Sequence, residues 1–176
     1  GKVRLNDPVD QYIPWLQVTY NGKPAVITIE QLLHHTSGIP FETIGKLTEG
    51  YGKDSLEKTV RILQDLPLNR EPGESFEYAT VNYDVLGLVI ERVTGQSFAD
   101  YMGEQIFQPL GLKHTFVFNK PDVPEETATG YKFGYTEPRS YVPPFYMGNA
   151  PAGYMMSNAE DMALWLKIQL GSIRNG

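Results

Sequence analysis

The stretch "SFEYATVNYDVLGLVIERVTG", residues 75–95, predicts an extended segment that leads into the main helix of the chain. Apolar residues recur in it at the spacing of a helix that buries one face; these are Val85, Leu86, Val89, Ile90 and Val93. Thr80 is the expected N-cap, and Gly95 lies just beyond the predicted end of the helix. Tyr78 stands two residues before that cap, so it either packs against the core or contributes chemistry.

Helical patterns also predominate on both sides of this stretch. "TIEQLLHHTSG" predicts a short helix that begins with a capping box, and "DSLEKTVRILQDL", "SFADYMGEQIFQPLG" and "SNAEDMALWLKIQLG" predict three more helices. The expected caps are Thr28 with Gln31, Asp54 or Ser55, Ser97 with Asp100, and Ser157. Asn21-Gly22 predicts a turn, and residues 112–150 combine β-prone segments with many Pro and Gly residues. We therefore expect one domain over residues 1–176, mainly α with a small β and loop portion.

The composition excludes several classes of function. The chain has 176 residues, 41% of them hydrophobic, and a net charge of −6, so it lacks the basic surface that nucleic acids require. It contains no cysteine, which excludes disulfides, a thiolate nucleophile and cysteine-based zinc sites. No apolar run approaches the roughly 20 residues of a membrane span, so we expect no membrane segment in this chain.

The histidines give little support for a metal-dependent hydrolase. His34 and His35 are adjacent and would point to different faces of a helix, while His114 has no acidic partner at the spacing of metal ligands. A backbone hydrogen bond near the helix end is the simpler role for His35. We expect neither a metal nor another cofactor.

Two further segments have a chemical and a structural interpretation. "SLEK", residues 55–58, matches the Ser-x-x-Lys pattern of penicillin-recognising serine enzymes, but helix capping explains Ser55 equally well. The aromatic run "GYKFGYTEPRSYVPPFY" could stack against a sugar or peptide, or it could be a Pro-stiffened loop that covers the core.

Tyr78 is the strongest candidate for chemistry. A tyrosine near a helix N-terminus can accept a proton from a nucleophile if a neighbouring cation favours its phenolate. The residues alone do not show whether such a cation is present, so packing and proton transfer both stay open at this point.

Several stretches together resemble the serine β-lactamase and penicillin-binding-protein family, which includes class C β-lactamases, D-alanyl-D-alanine carboxypeptidases and related esterases. The resembling stretches run in the family's order and cover nearly the whole chain; they are "GKVRLNDPVDQYIPW", "ITIEQLLHHTSGIP", "EPGESFEYATVNYDVLGLVIERVTGQSFADYMGEQIFQPLGL" and "APAGYMMSNAEDMALWL". The resemblance implies the helical domain of an α/β (α+β) β-lactamase/transpeptidase-like fold.

The resemblance also assigns expected roles to individual residues. Tyr78 falls on the tyrosine of the family's Tyr-x-Asn motif, which shuttles protons during acylation and deacylation. Thr80 stands where many relatives have asparagine. An asparagine amide can donate to a substrate carbonyl and accept from the lysine, whereas threonine offers only a short hydroxyl, so peptidase or esterase activity is favoured over β-lactam turnover. Ala152 and Gly153 are expected to line the substrate cleft.

Two elements of the family are missing from this sequence. The resemblance places the Ser-x-x-Lys helix before Gly1 and the last strand motif after Gly176, whereas "SLEK" lies in the wrong order for the nucleophile. We therefore expect a fragment that is inactive alone, from a serine hydrolase of the cell envelope or exterior that acts on D-alanyl peptides, β-lactams or small esters. The alternative is a non-catalytic pseudoenzyme or binding module for a cell-wall peptide or protein partner. Exposed edges and apolar surface in so short a chain favour a homodimer.

Overall fold

A computed structural model describes residues 1–47, 49–118 and 127–171. Helices α1 to α6 span Ile29–Leu33, Ser55–Arg61, Val81–Thr94, Phe98–Met102, Ala150–Gly153 and Ala159–Gln169. Strands β1 to β7 span Val18–Tyr20, Lys23–Ala25, Leu66–Pro67, Phe116–Val117, Tyr131–Phe133, Pro138–Ser140 and Met155–Met156. Short 3-10 turns lie at Val9–Gln11, Phe41–Lys46 and Met147–Asn149, and a π-helical segment, Gly103–Phe107, continues α4.

Helix α3 is the centre of the fold, as its apolar periodicity predicts. Val85, Leu88 and Val89 are buried in the core, and Gly95 ends the helix in the left-handed conformation with φ 75°. Gly87 allows α5 to pack closely, because a Cβ atom there would lie 2.3 Å from Pro151 Cγ. The helix thus supports both the segment before it and the α5 segment beside it.

The expected capping role of the Thr80 hydroxyl is wrong. Thr80 already has helical backbone angles, φ −52° and ψ −43°, and its side chain accepts no capping hydrogen bond. The first turn is instead closed by backbone bonds from Asn82 N–H to Ala79 O and from Tyr83 N–H to Thr80 O. A capping side chain needs an extended backbone to reach the free N–H groups of the first turn, and Thr80 lacks it.

The other predicted caps had mixed outcomes. Thr28 and Gln31 form the reciprocal capping box, and Ser97 Oγ accepts from Asp100 N–H. Neither Asp54 nor Ser55 caps α2 through its side chain, because the Asp54 carboxylate binds Lys58 and Ser55 Oγ accepts from Gly52 N–H. The predicted cap of α6 is also wrong by one residue: Asn158, and not Ser157, accepts from Asp161 N–H.

Short sheets complete the structure around the helices. Strands β1 and β2 form an antiparallel hairpin whose turn residues, Asn21 and Gly22, have the positive φ angles expected there, and β3 adds to β1 in parallel. Strand β4 pairs with β7, and β5 pairs with β6, both antiparallel. Within the described residues, no helix is both long and apolar enough to cross a membrane.

Candidate active site

The segment from His35 to Gly38 lies against the extended chain that precedes α3. Backbone hydrogen bonds connect the two, from Glu77 N–H to His35 O at 2.8 Å and from Gly73 N–H to Thr36 O at 2.7 Å. Gly38 is needed for this contact, since it has φ +78° and a Cβ atom there would lie 2.3 Å from Arg70 O. The "HTSG" segment, residues 35–38, and the "FEY" segment, residues 76–78, therefore lie side by side.

Tyr78 lies at the surface of this junction. Its side chain is 48% exposed, and its ring centroid is 4.6 Å from that of His35 and 6.4 Å from that of Phe41. Within the described part of the chain, its hydroxyl makes no hydrogen bond. The Tyr78 ring thus packs against His35 and Phe41 on a half-exposed side chain.

A buried polar network lies directly beneath Tyr78. Ser37 and Asn82 are fully buried, and Ser37 Oγ donates to Asn82 Oδ1 over 2.9 Å. The Asn82 amide nitrogen is 3.1 Å from His35 Nδ1, and Ala79 N–H points at the same nitrogen from 3.4 Å. The network therefore connects the end of α1 to the first turn of α3 through side chains.

An ion pair fixes the segment from its other side. The Glu77 carboxylate accepts from Arg70 Nε at 2.9 Å, from Asn69 Nδ2 at 3.1 Å and from Phe41 N–H at 3.3 Å. Partial burial opposes ionisation of Glu77, but the hydrogen bonds from Arg70 and Asn69 outweigh it and lower the pKa of this carboxyl. Because Glu77 is adjacent to Tyr78, these bonds also restrain the tyrosine backbone.

The other predicted site residues lie just before α3 and in α5. Thr80 is adjacent to the site in sequence but is only 9% exposed. The backbone N–H of Ala152 lies near the carboxyl of Asp84 and acts to lower its pKa, while Gly153 is exposed at the end of α5. In the described ranges, no hydrogen bond joins Ala152 or Gly153 to Tyr78, so their place in a cleft stays a prediction.

Asp84 is an unusual feature of α3. Its side chain is fully buried, its Oδ2 accepts from Asn149 Nδ2 at 2.7 Å, and its Oδ1 has no hydrogen-bond partner. Burial raises the pKa of Asp84 from 3.8 to about 8, against the opposing effect of the bonds from Asn149 and Ala152. Near neutral pH the carboxyl is therefore mostly protonated, and it holds α5 against α3 without a charge.

The remaining candidates from the sequence take up structural positions. Lys58 Nζ lies 2.6 Å from Asp54 in an exposed ion pair, which gives the "SLEK" stretch a role in its own helix. His34 and His114 are both exposed, and among the described residues no group of three His, Asp or Glu side chains is placed to hold a metal ion.

The aromatic run divides into two parts. Tyr131, Phe133 and Tyr135 of the β5–β6 hairpin are exposed, whereas Phe145 is buried against Tyr51 and against two more aromatic rings, Phe118 and Tyr154. The second part of the run therefore covers the core, and the hairpin presents aromatic surface to solvent.

Comparison with known proteins identifies the family. A model of the family described as Beta-lactamase matches residues 1–175. The chain belongs to the β-lactamase family. Within this family, the chain is 36% identical over 170 residues to Protein flp of Staphylococcus aureus, strain MW2, covering 97% of this chain and 34% of that protein.

Solved structures of family members show the same fold. EstCE1, a hydrolase with promiscuous acyltransferase activity, matches with a TM-score of 0.80 and 26% identity over 99% of this chain and 54% of its own. A D-stereospecific amidohydrolase from Streptomyces sp. matches with a TM-score of 0.77 and 26% identity over 97% of this chain and 54% of its own. The β-lactamase/transpeptidase-like fold expected from the resemblance is thus confirmed. The chain spans about a third of Protein flp and about half of these two structures.

Sequence reasoning missed the side chains that support Tyr78. The expected backbone hydrogen bond of His35 is present, from Ala79 N–H to Nδ1, but its packing against Tyr78 was not predicted, and neither Ser37 nor Asn82 was singled out. One signal was available, because Asn82 precedes Val85 and Val89 by three and seven residues and so occupies a buried position on the apolar stripe. A polar residue at such a position needs a buried partner.

Proposed function

We propose that the complete protein is a serine hydrolase that cleaves amide or ester bonds through an acyl-enzyme, with Tyr78 as its proton carrier. The observation that carries the proposal is the position of Tyr78: a half-exposed tyrosine whose ring packs against His35 and Phe41, in a chain of the β-lactamase family. A tyrosine held in this way can receive a proton as the phenolate and return it as the phenol with little reorganisation.

The proposed reaction has two stages. A serine from chain outside residues 1–176 attacks the substrate carbonyl, Tyr78 takes the serine proton as a phenolate favoured by a neighbouring cation, and the proton passes to the departing amine or alcohol as the carbonyl–heteroatom bond breaks. Water then attacks the acyl ester, gives one proton to Tyr78 and releases the acid, and Tyr78 returns that proton to the serine. This region would be the helical domain of the enzyme.

The proposed substrates are D-alanyl peptides, β-lactams or small esters. Thr80 at the usual asparagine position favours peptides and esters, because its hydroxyl is shorter than the amide that relatives place towards the substrate carbonyl and the lysine. The names of two similar proteins, a D-stereospecific amidohydrolase and a hydrolase with acyltransferase activity, support the same choice. Ala152 and Gly153 would line the cleft, and the cell envelope or exterior is the proposed location.

A fluorescent penicillin provides the test. The complete protein should acquire one covalent label per molecule, whereas the chain 1–176 alone should acquire none. A Ser55→Ala variant of the chain is the control for the "SLEK" stretch. A stoichiometric adduct on the unmodified chain that disappears in Ser55→Ala would place the nucleophile inside these residues and contradict the proposal.

The exposed β5–β6 hairpin favours a second candidate function, a non-catalytic binding module. Phe133 and Tyr135 have essentially fully accessible side chains, and such aromatic surfaces suit peptide recognition. If the complete protein takes up no label and has no Ser-x-x-Lys before Gly1, but binds a cell-wall peptide through this hairpin, the binding module replaces the hydrolase.

A further inference from the structure

We infer that His35 is a positioning residue for Tyr78: a neutral imidazole, with its proton on Nε2, that keeps the tyrosine ring in place. The inference rests on the proposed function for its catalytic meaning. Its structural content is independent of catalysis, because it concerns the proton on one ring and the position of another.

The backbone places His35 where it can act on both sides of the site. Its φ of +54° is uncommon for a residue other than glycine and turns the chain sharply after α1. Its carbonyl oxygen accepts from Glu77 N–H, so the backbone on one side of Tyr78 is tied to it. Its Nδ1 accepts a hydrogen bond from Ala79 N–H, so the backbone that follows Tyr78 is also bonded to His35.

The hydrogen-bond donors around the ring determine where its proton lies. A backbone N–H can only donate, so the bond from Ala79 requires Nδ1 to be an acceptor. The Asn82 amide nitrogen can also only donate to Nδ1, since Asn82 Oδ1 is occupied by the Ser37 hydroxyl. With two donors directed at Nδ1, the proton of the neutral ring is on Nε2.

Protonation of the ring would break this arrangement. A proton on Nδ1 would point at the Ala79 N–H and at the Asn82 amide, which both carry hydrogen themselves. Burial lowers the pKa of His35, and only the contact with Ala79 opposes this effect. The titratable groups that face the ring are Tyr78 and Tyr83, whose centroids lie 4.6 Å and 5.4 Å away.

The nearby charges are engaged elsewhere. Glu77 and Arg70 bind each other at 2.9 Å, and the adjacent His34 is exposed to solvent. In the described residues, no carboxylate is hydrogen-bonded to the His35 ring. Because the Tyr78 ring packs on the imidazole and its backbone neighbours are bonded to the same residue, charging His35 displaces Tyr78 and should abolish activity at low pH.

The test is a nuclear magnetic resonance titration of the unmodified chain with ¹⁵N-histidine and ¹³C-tyrosine labels. We expect the Nε2–H tautomer for His35, a titration midpoint below 6.5, and Tyr78 ring signals that shift with that same midpoint. A His34→Gln variant assigns the signals and should leave these shifts unchanged. A proton on Nδ1, or Tyr78 signals that do not follow the His35 midpoint, would overturn the inference.

Asn82→Asp provides a second, opposite perturbation. It replaces the amide donor with a carboxylate acceptor, so Nδ1 should gain a proton and the His35 midpoint should rise by about 1 to 3 units. An unchanged midpoint in a folded variant would contradict the network. If the variant does not fold, the titration of the unmodified chain still tests the predicted tautomer of His35 and its coupling to Tyr78.

These measurements separate the inference from the proposed function. In the complete protein, the acid limb of kcat should follow the His35 midpoint and move upward with Asn82→Asp. If the titration behaves as expected but Tyr78→Phe leaves turnover intact, the hydrolase proposal fails while the structural role of His35 holds.

Discussion

The Asp84→Asn substitution should make the stability of the protein less sensitive to pH. Asp84 is fully buried, accepts a hydrogen bond from Asn149 Nδ2, lies near the donor N–H of Ala152, and has no cationic partner among the described residues. Its pKa is about 8 in the folded protein, against 3.8 for a free side chain. An asparagine keeps an oxygen for the two donors and cannot ionise.

The direction of the change in stability with pH follows from how many protons the folded and unfolded states bind. Below about pH 4, Asp84 is protonated in both the folded and the unfolded state, and its favourable contribution is complete. As pH rises to about 8, the unfolded state loses this proton while the folded state keeps it, so the free energy of unfolding falls by about 1.4 kcal/mol per pH unit. Between pH 5 and pH 7.5 the expected loss is on the order of 3 kcal/mol, and Asp84→Asn removes it.

Urea unfolding at several pH values between 5 and 8 measures this effect. The stability difference between Asp84→Asn and the unmodified protein should grow steadily in favour of the variant as pH rises. Asp161→Asn is a matched control of opposite sign: burial opposes ionisation of Asp161, but bonds from Thr115 and His114 outweigh it and lower the pKa. The stability deficit of Asp161→Asn relative to the unmodified protein should shrink as pH falls into the acid range. A difference for Asp84→Asn that does not change with pH would refute the reasoning.

Three other predictions concern packing and assembly. Gly38→Ala should lower the free energy of unfolding by more than about 2 kcal/mol, because its Cβ would meet a carbonyl oxygen. Gly22→Ala is the control: Gly22 has a similar φ but open space around it, so the loss should be only about 1 kcal/mol. Equal losses in urea unfolding would contradict the close contact at Gly38. Ser37→Ala should cost about 1–3 kcal/mol, because it leaves the buried Asn82 Oδ1 without its donor, and a calorimetric scan that shows no loss would argue against that bond. Leu166 on α6 is 58% exposed, and such an exposed apolar side chain is expected at the interface of the expected homodimer. Light scattering should therefore show a dimer that Leu166→Glu converts to a monomer. An unmodified chain that stays monomeric at all concentrations would exclude the homodimer.

Local patterns in the sequence were enough to predict much of the fold. The Thr28–Gln31 box, the Asn21-Gly22 turn and the apolar face of α3 depend on residues within one or two turns of each other, so their residue types determine the outcome. The Thr80 hydroxyl failed as a cap because the Thr80 backbone already has helical angles and backbone bonds close the first turn, which residue preferences do not reveal.

The candidate site was less predictable because long-range contacts form it. Ser37 and Asn82 are 45 residues apart, and Asp84 and Asn149 are 65 residues apart. Whether a polar residue is buried and bonded depends on such contacts, which a single sequence does not show. Tyr78 was a candidate from the residues alone, its role as proton carrier came only through resemblance to a family, and its support from His35 became visible only in the structure.

The kinetics of Tyr78→Phe in the complete protein test the central claim most directly. The substitution keeps the ring that packs on His35 and removes only the hydroxyl, so the variant should fold normally and kcat/KM should fall by about 10²- to 10⁴-fold. Tyr101→Phe, a tyrosine on α4, is the matched control and should retain the activity of the unmodified protein. A Tyr78→Phe variant that hydrolyses a D-alanyl peptide or ester as fast as that control would contradict the assignment of Tyr78 as the proton carrier.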